Sequence, residues 1–159
     1  MKKLMDNKNE FFEKTKRKGP SFVTIEFLRL GINPGNAIEL GCGAGRDTIA
    51  LINNNWKVRA IDKENVENII KERLTDEQLK NLKFEVQEFE NLSICKTDLI
   101  IANNSLSFCN KEYFGKLWNT IGENIKSKGF FVGNFFGEND DWKKSKDEMS
   151  FFTKEDILK

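Results

Sequence analysis

The chain has 159 residues, 38% of them hydrophobic and 11% aromatic, and a domain of that size buries roughly 70% of its unfolded surface without needing disulfides or metal. Its 26 basic and 25 acidic residues leave a net charge of +1, which gives no whole-chain electrostatic footprint for nucleic acid. Histidine is absent, which excludes Ser-His-Asp and Cys-His catalysis and argues against a zinc enzyme. The three cysteines, Cys42, Cys95 and Cys109, form no CxxC pair. With no signal peptide at the start, they fit a reduced cytoplasm. No apolar run approaches the roughly 20 residues that would span a bilayer.

In chain order, residues 3–16 predict a polar helix with a solvated basic face. Gly19-Pro20-Ser21 breaks it, and Ser21 can cap a second helix over 22–30. There Phe22, Ile25, Phe27, Leu28 and Leu30 follow a helical face. Residues 37–40 form a short buried strand. A glycine loop and a helix over 46–54 follow. Residues 56–61 are a second strand ending at Asp62, and 64–74 a second core helix. Residues 82–86 are a third strand. Residues 98–102 are a fourth, apolar enough to lie mid-sheet with both faces covered. A long helix over 111–126 leads to a fifth strand over 129–136. A polar loop, Gly137-Glu138-Asn139-Asp140-Asp141-Trp142, precedes a capped helix start over 151–157. Cys95 and Cys109 are expected in apolar packing, and the Phe pairs at 130–131, 135–136 and 151–152 in the core.

Strands alternating with helices predict an α/β fold, a doubly wound and mostly parallel sheet with its ligand crevice at the carboxyl ends of the central strands. The expected layout is a single domain over 1–159. N-terminal helices occupy 1–30, the core 36–136, and a loop and helix start 137–159.

The strongest motif is Glu39-Leu40-Gly41-Cys42-Gly43-Ala44-Gly45-Arg46-Asp47. Strand, glycine loop and helix come in that order, so backbone can approach a ligand beside a helix N-terminus. The spacing is GxGxG. Arg46 stands where a dinucleotide fingerprint would need its third glycine. Glu39 lies inside an apolar strand, where a carboxylate needs a partner, and a cation would be one. Asp62, at the end of the next strand, stands where a ribose-binding carboxylate belongs. It can equally cap the helix after it. Cys42 reads as a small loop residue rather than a nucleophile, and Glu88 as either a solvated loop charge or a ligand contact.

Residues 35–65 resemble motifs I and II of class I S-adenosylmethionine-dependent methyltransferases. The stretch GCGAGRDTIALINNNWKVRAID is similar to the small-molecule branch that includes tellurite-resistance and thiopurine-type enzymes. The resemblance implies a Rossmann-like core with strand order 3-2-1-4-5 and S-adenosylmethionine as cofactor. By position it implies that Gly41, Cys42, Gly43, Gly45 and Arg46 pass the methionine and ribose portions, with Glu39 ordering the loop. Asp62 would hold the ribose hydroxyls, Lys63 would lie beside the adenine, and Glu88 and Phe89 would meet its amino group and ring. Asn103 would lie near the methyl group. Asn103-Asn104-Ser105-Leu106 matches only the first residue of the NPPY-type motif of nucleic-acid methyltransferases, so nucleic acid is not the expected partner.

The resemblance also implies a C-terminal antiparallel strand pair that the sequence does not supply. The chain is then either a fragment or a naturally short member. Its fifth strand would be a sheet edge, open to homodimer contacts through residues 129–159. Two functions follow as expectations. One is methyl transfer to a small acceptor such as a thiol or a tellurium or selenium oxyanion, with no general base identified. The other is a non-catalytic cofactor-binding module acting through a protein partner.

Overall fold

Five apolar runs pair in parallel to form one sheet in the computed structural model, which describes residues 10, 12–141 and 149–158. They are β1 (Asn36–Leu40), β2 (Lys57–Asp62), β3 (Leu82–Val86), β4 (Thr97–Ala102) and β5 (Ile125–Gly133). Their order is β3-β2-β1-β4-β5, as expected. The chain winds outward from β1 to β3, then returns to the other side of β1. The strand order therefore reverses between β1 and β4, which opens a crevice at their carboxyl ends. The helices are α1 (Phe22–Arg29), α2 (Arg46–Asn53), α3 (Glu67–Lys71), α4 (Asp76–Leu79), α5 (Lys111–Asn124) and α6 (Lys154–Leu158). Residues 12–16 are also helical. The start of the helix predicted over 3–16 lies outside the described residues, as does Trp142 of the predicted polar loop.

Alternation along each strand sends side chains to opposite faces. Ala37, Leu99 and Ile101 join a cluster with Phe27, Leu51, Trp56 and Ile70. Ile38, Leu40, Ile100 and Ala102 join the other, with Leu106, Leu117 and Ile121. Both faces are covered, so β4 reads as a continuous apolar run, and Leu99, Ile100, Ile101 and Ala102 are all 0% exposed. Burying a side chain of this kind stabilises by about 1.5–3 kcal/mol. Phe27 ties α1 to this core, its ring 5.7 Å from both Trp56 and Phe130.

Three expectations are corrected. The long helix stops at Asn124, and β5 begins at Ile125, which pairs with Thr97. A bulge follows in which Lys128 takes a positive φ of 66°. The strand then ends at Gly133, because Asn134 turns its side chain onto the Asn104 backbone at 2.6 Å. The helix predicted over 64–74 is only Glu67–Lys71. A second short helix follows, closed by a capping box between Thr75 and Gln78, a T-x-x-Q signal in the sequence. Cys95 is exposed rather than packed, whereas Cys109 is buried.

The C-terminal segment folds back on this frame. Ser150 N–H donates to the Ser107 carbonyl at 2.8 Å, and its hydroxyl to the Cys109 carbonyl at 2.9 Å. Phe152 N–H donates to the Phe136 carbonyl at 3.0 Å. The Phe152 ring lies 4.2 Å from Phe114 and 5.4 Å from Phe135. Thr153 then caps α6 through Asp156, so the predicted capped start is present two residues later than its first phenylalanine. Among the described residues, no strand pairs with the outer edge of β5.

Candidate functional site

The loop after β1 is built by backbone bonds to β2. Gly41 and Cys42 N–H both donate to the Ile61 carbonyl, at 2.8 and 3.0 Å. Gly43 N–H donates to Asp62 Oδ2 at 2.8 Å. Asp62 Oδ1 accepts from Glu64 N–H at 3.0 Å, so the same carboxylate starts the turn toward α3. Gly45 N–H closes the loop onto the Cys42 carbonyl at 2.9 Å, and α2 begins.

All three glycines have positive φ, but their surroundings differ. A Cβ at Gly41 would lie 2.4 Å from Ser105 Cβ, and one at Gly45 2.5 Å from Ile70 Cγ1. These two positions are required by protein packing. A Cβ at Gly43 would meet nothing within 4 Å. Gly43 is thus where the loop backbone faces open space.

Three acidic side chains gather beneath this loop. Glu39 is 4% exposed and Asp47 6%, and Asp62 is half-buried. The Thr48 hydroxyl donates to Glu39 Oε2. Burial, and then the Asp47 carboxylate, hold the Glu39 carboxyl well above its usual range. Burial, and then Glu39, push the Cys42 thiol up as well, which disfavours its thiolate. None of the ion pairs among the described residues involves Glu39, Asp47 or Asp62.

Asn103, at the end of β4, joins this group from the other side of the reversal point. Its Nδ2 donates to Ser21 Oγ, Asp47 Oδ2 and Thr24 Oγ1 at 2.7, 2.9 and 3.0 Å. Its Oδ1 is buried with no partner. Phe89 approaches from the loop after β3, its Cζ 3.5 Å from the space beside Gly41. The loop over 41–45 thus lies with Glu39 and Asp62 at the carboxyl ends of β1 and β2, with Phe89 beside Gly41 and Asn103 bonded to Asp47. Arg46 is half-buried in the first turn of α2, with a buried Nε that has no partner. Lys63 and Glu88 sit exposed on the loops after β2 and β3. A surface depression of about 340 Å³ between residues 137–140 and 152–154 lies apart from this crevice.

The sequence matches the family of the tellurite resistance protein TehB over residues 4–155. The chain belongs to the TehB family. No curated protein sequence matches it. Among solved structures it is similar to TehB from Haemophilus influenzae, at 20% identity and a TM-score of 0.66, over 82% of this chain and 46% of that one. It is also similar to the glycopeptide N-methyltransferase MtfA in complex with S-adenosyl-L-methionine, at 16% identity and a TM-score of 0.63, over 77% and 59%. A third similar structure is a DhpI-SAM-HEP complex, at 19% identity and a TM-score of 0.59, over 77% and 56%. The chain thus spans about half the length of these structures, and at such identities the likeness shows the fold.

Four further groups around the glycine loop take their place from contacts distant in sequence. Asp47 was visible as an acid in the first turn of a helix, where it suits the dipole, but nothing in the sequence placed it against Ser21. Thr24 shares the Asn103 amide and is 0% exposed. Ser105 Oγ donates to the Leu40 carbonyl at 2.6 Å, fixing the end of β1. Arg73 donates to the carbonyls of Ile69 and Lys16, both at 3.0 Å, and to that of Ala44 in the glycine loop. No helix among the described residues is long and apolar enough to cross a membrane.

Proposed function

We propose that this TehB-family chain binds S-adenosylmethionine in the crevice over β1, β2 and β4 and transfers its methyl group to a small acceptor, a thiol or a tellurium or selenium oxyanion. The observation that carries the reading is Gly43, at a φ of 51° with open space before it, beside Glu39, Asp47 and Asp62. A cationic ligand with hydroxyls fits that combination. Acidic groups gathered without a cation favour a positive guest. A carboxylate offers about four acceptor sites, so Asp62 keeps capacity for ribose hydroxyls after accepting from Gly43 and Glu64. Phe89 supplies an apolar wall for the adenine, with Lys63 and Glu88 at its rim. Gly41, Cys42, Gly45 and Arg46 shape the loop, and Asn103 closes the β4 side.

When bound, the cofactor supplies an electrophilic methyl group on a sulfonium. The protein's part is to hold the donor and align an acceptor with it. A soft anionic acceptor needs little proton transfer, which agrees with a chain lacking histidine. Self-association through 129–159 belongs to the same reading, since an unpaired β5 edge is a template for a second chain.

The test is methyl transfer from labelled S-adenosylmethionine to a panel of thiols, tellurite and selenite. Labelled product is expected with at least one acceptor and should vanish in Gly43→Val. Cofactor binding with no transfer to any acceptor would favour a non-catalytic module.

A further inference from the structure

The segment running from the helical turn at 12–16 into α1 is pinned at two points to the glycine loop. At one end, Arg73 donates through Nη1 to the Lys16 carbonyl and through Nη2 to the Ala44 carbonyl. At the other, Ser21 N–H donates to Asp47 Oδ1 at 2.7 Å. Asn103 then joins Ser21, Thr24 and Asp47 through one amide group. The four partners come from the N-terminal segment, from the first turn of α2 and from the end of β4. Phe12, Phe27 and Leu28 pack the same segment against the core, and the Phe27 ring meets Trp56 and Phe130.

The bonds are complementary in a directional way. Asp47 is an acceptor at both oxygens, and Asn103 meets it as a donor. Such a partly buried network is satisfied or broken as a unit. Its members include Asp47, in the first turn of the helix after the glycine loop, so the bonds join that helix to the segment.

We propose that Asp47 and Asn103 are positioning residues that couple docking of residues 12–24 to occupancy of the glycine loop. The inference rests on the S-adenosylmethionine reading of that loop. Coupling between two sites is reciprocal: a ligand that favours the docked segment is bound more tightly because the segment is docked. Asp47→Asn sets an amide NH₂ against the Asn103 NH₂, and Asn103→Asp sets a carboxylate against Asp47. Asn103→Asp leaves two carboxylates facing each other, and Asp47→Asn is matched only if Asn103 turns its unpartnered Oδ1 toward it and withdraws its NH₂ from Ser21 and Thr24. The swap Asp47→Asn with Asn103→Asp restores a donor facing an acceptor, with the roles exchanged, and still leaves an oxygen at position 47 for Ser21 N–H.

The experiment is hydrogen exchange of the peptide covering 12–24, with and without S-adenosylhomocysteine, in the full chain and these three variants. Calorimetric titration runs in parallel. In wild type the ligand should slow exchange in this peptide. Each single variant should speed exchange without ligand and weaken binding about tenfold, within the usual range of coupling factors. The swap should restore both. Wild type that binds ligand with no change in exchange over 12–24 would overturn the coupling and leave the binding reading intact. A swap no better than the singles in exchange would overturn the pairing, even in protein without ligand. Absence of binding in wild type would overturn the binding reading and the coupling with it.

Discussion

At the residue scale, the three loop glycines illustrate how one motif serves two needs. Gly41 and Gly45 leave room for Ser105 and Ile70, while Gly43 leaves room for something outside the chain. Gly43→Val should therefore fold, at a cost of about 1–3 kcal/mol for its backbone conformation, yet lose ligand binding. Gly45→Val should lose that much and a further 1–3 kcal/mol or so from overpacking against Ile70. Urea denaturation of the two variants checks the difference. Glu39 gives a pH prediction. Burial first, and Asp47 second, raise its carboxyl above the ordinary 4.5. An acid raised on folding contributes stability fully below the unfolded value and loses it as pH climbs through the folded one. Glu39→Gln cannot ionise, so its melting temperature should rise relative to wild type as pH climbs above the ordinary 4.5. A difference that stays constant as pH rises would contradict a raised Glu39 carboxyl. The glycine loop and Glu39 were legible because their residue types are rare in an apolar strand–helix turn. The partners of Asn103 were not legible, because Ser21 and Thr24 lie at sequence separations of 82 and 79.

At the element scale, Asp62 has two structural duties before any ligand is considered. It accepts from Gly43 in the loop and from Glu64 at the turn into α3. Asp62 does not cap the helix after it, as the sequence allowed, because α3 starts at Glu67 behind Val66; it caps the turn at Glu64 and keeps acceptor capacity for a ligand. Asp62→Ala should lower stability by about 1–3 kcal/mol through the two unsatisfied amides, besides weakening cofactor binding. Thermal melting without ligand separates the first effect from the second, and an unchanged melting temperature would contradict the loop geometry. All five strands were legible in the sequence, since short apolar runs bounded by glycine, asparagine and charge mark buried parallel strands. Their boundaries were less so. The onset of β5 depends on Thr97 pairing with Ile125 across the sheet, a contact that local periodicity does not contain. The short α4 was missed although Thr75 and Gln78 spell its cap.

At the scale of the whole molecule, the C-terminal fold-back decides how well the β5 side is covered. Phe152 bridges Phe114 on α5 and Phe135 beyond β5. Phe152→Ala should destabilise the protein by roughly 2–4 kcal/mol, the scale of deleting a large packed aromatic, as read from chemical denaturation. A loss below about 0.5 kcal/mol would fit a surface position and would contradict the fold-back. In the proposed cofactor site, β1, β2 and β4 carry Glu39, Gly43, Asp62 and Asn103 at their carboxyl ends. Isothermal titration of wild type and Gly43→Val with S-adenosylmethionine, with NAD as the control, tests it most directly. Saturable wild-type binding is expected, at about micromolar strength or −8 kcal/mol, with no binding by the folded variant and no preference for NAD. Wild type that gives no heat up to millimolar ligand, or a variant that binds as wild type does, would contradict it.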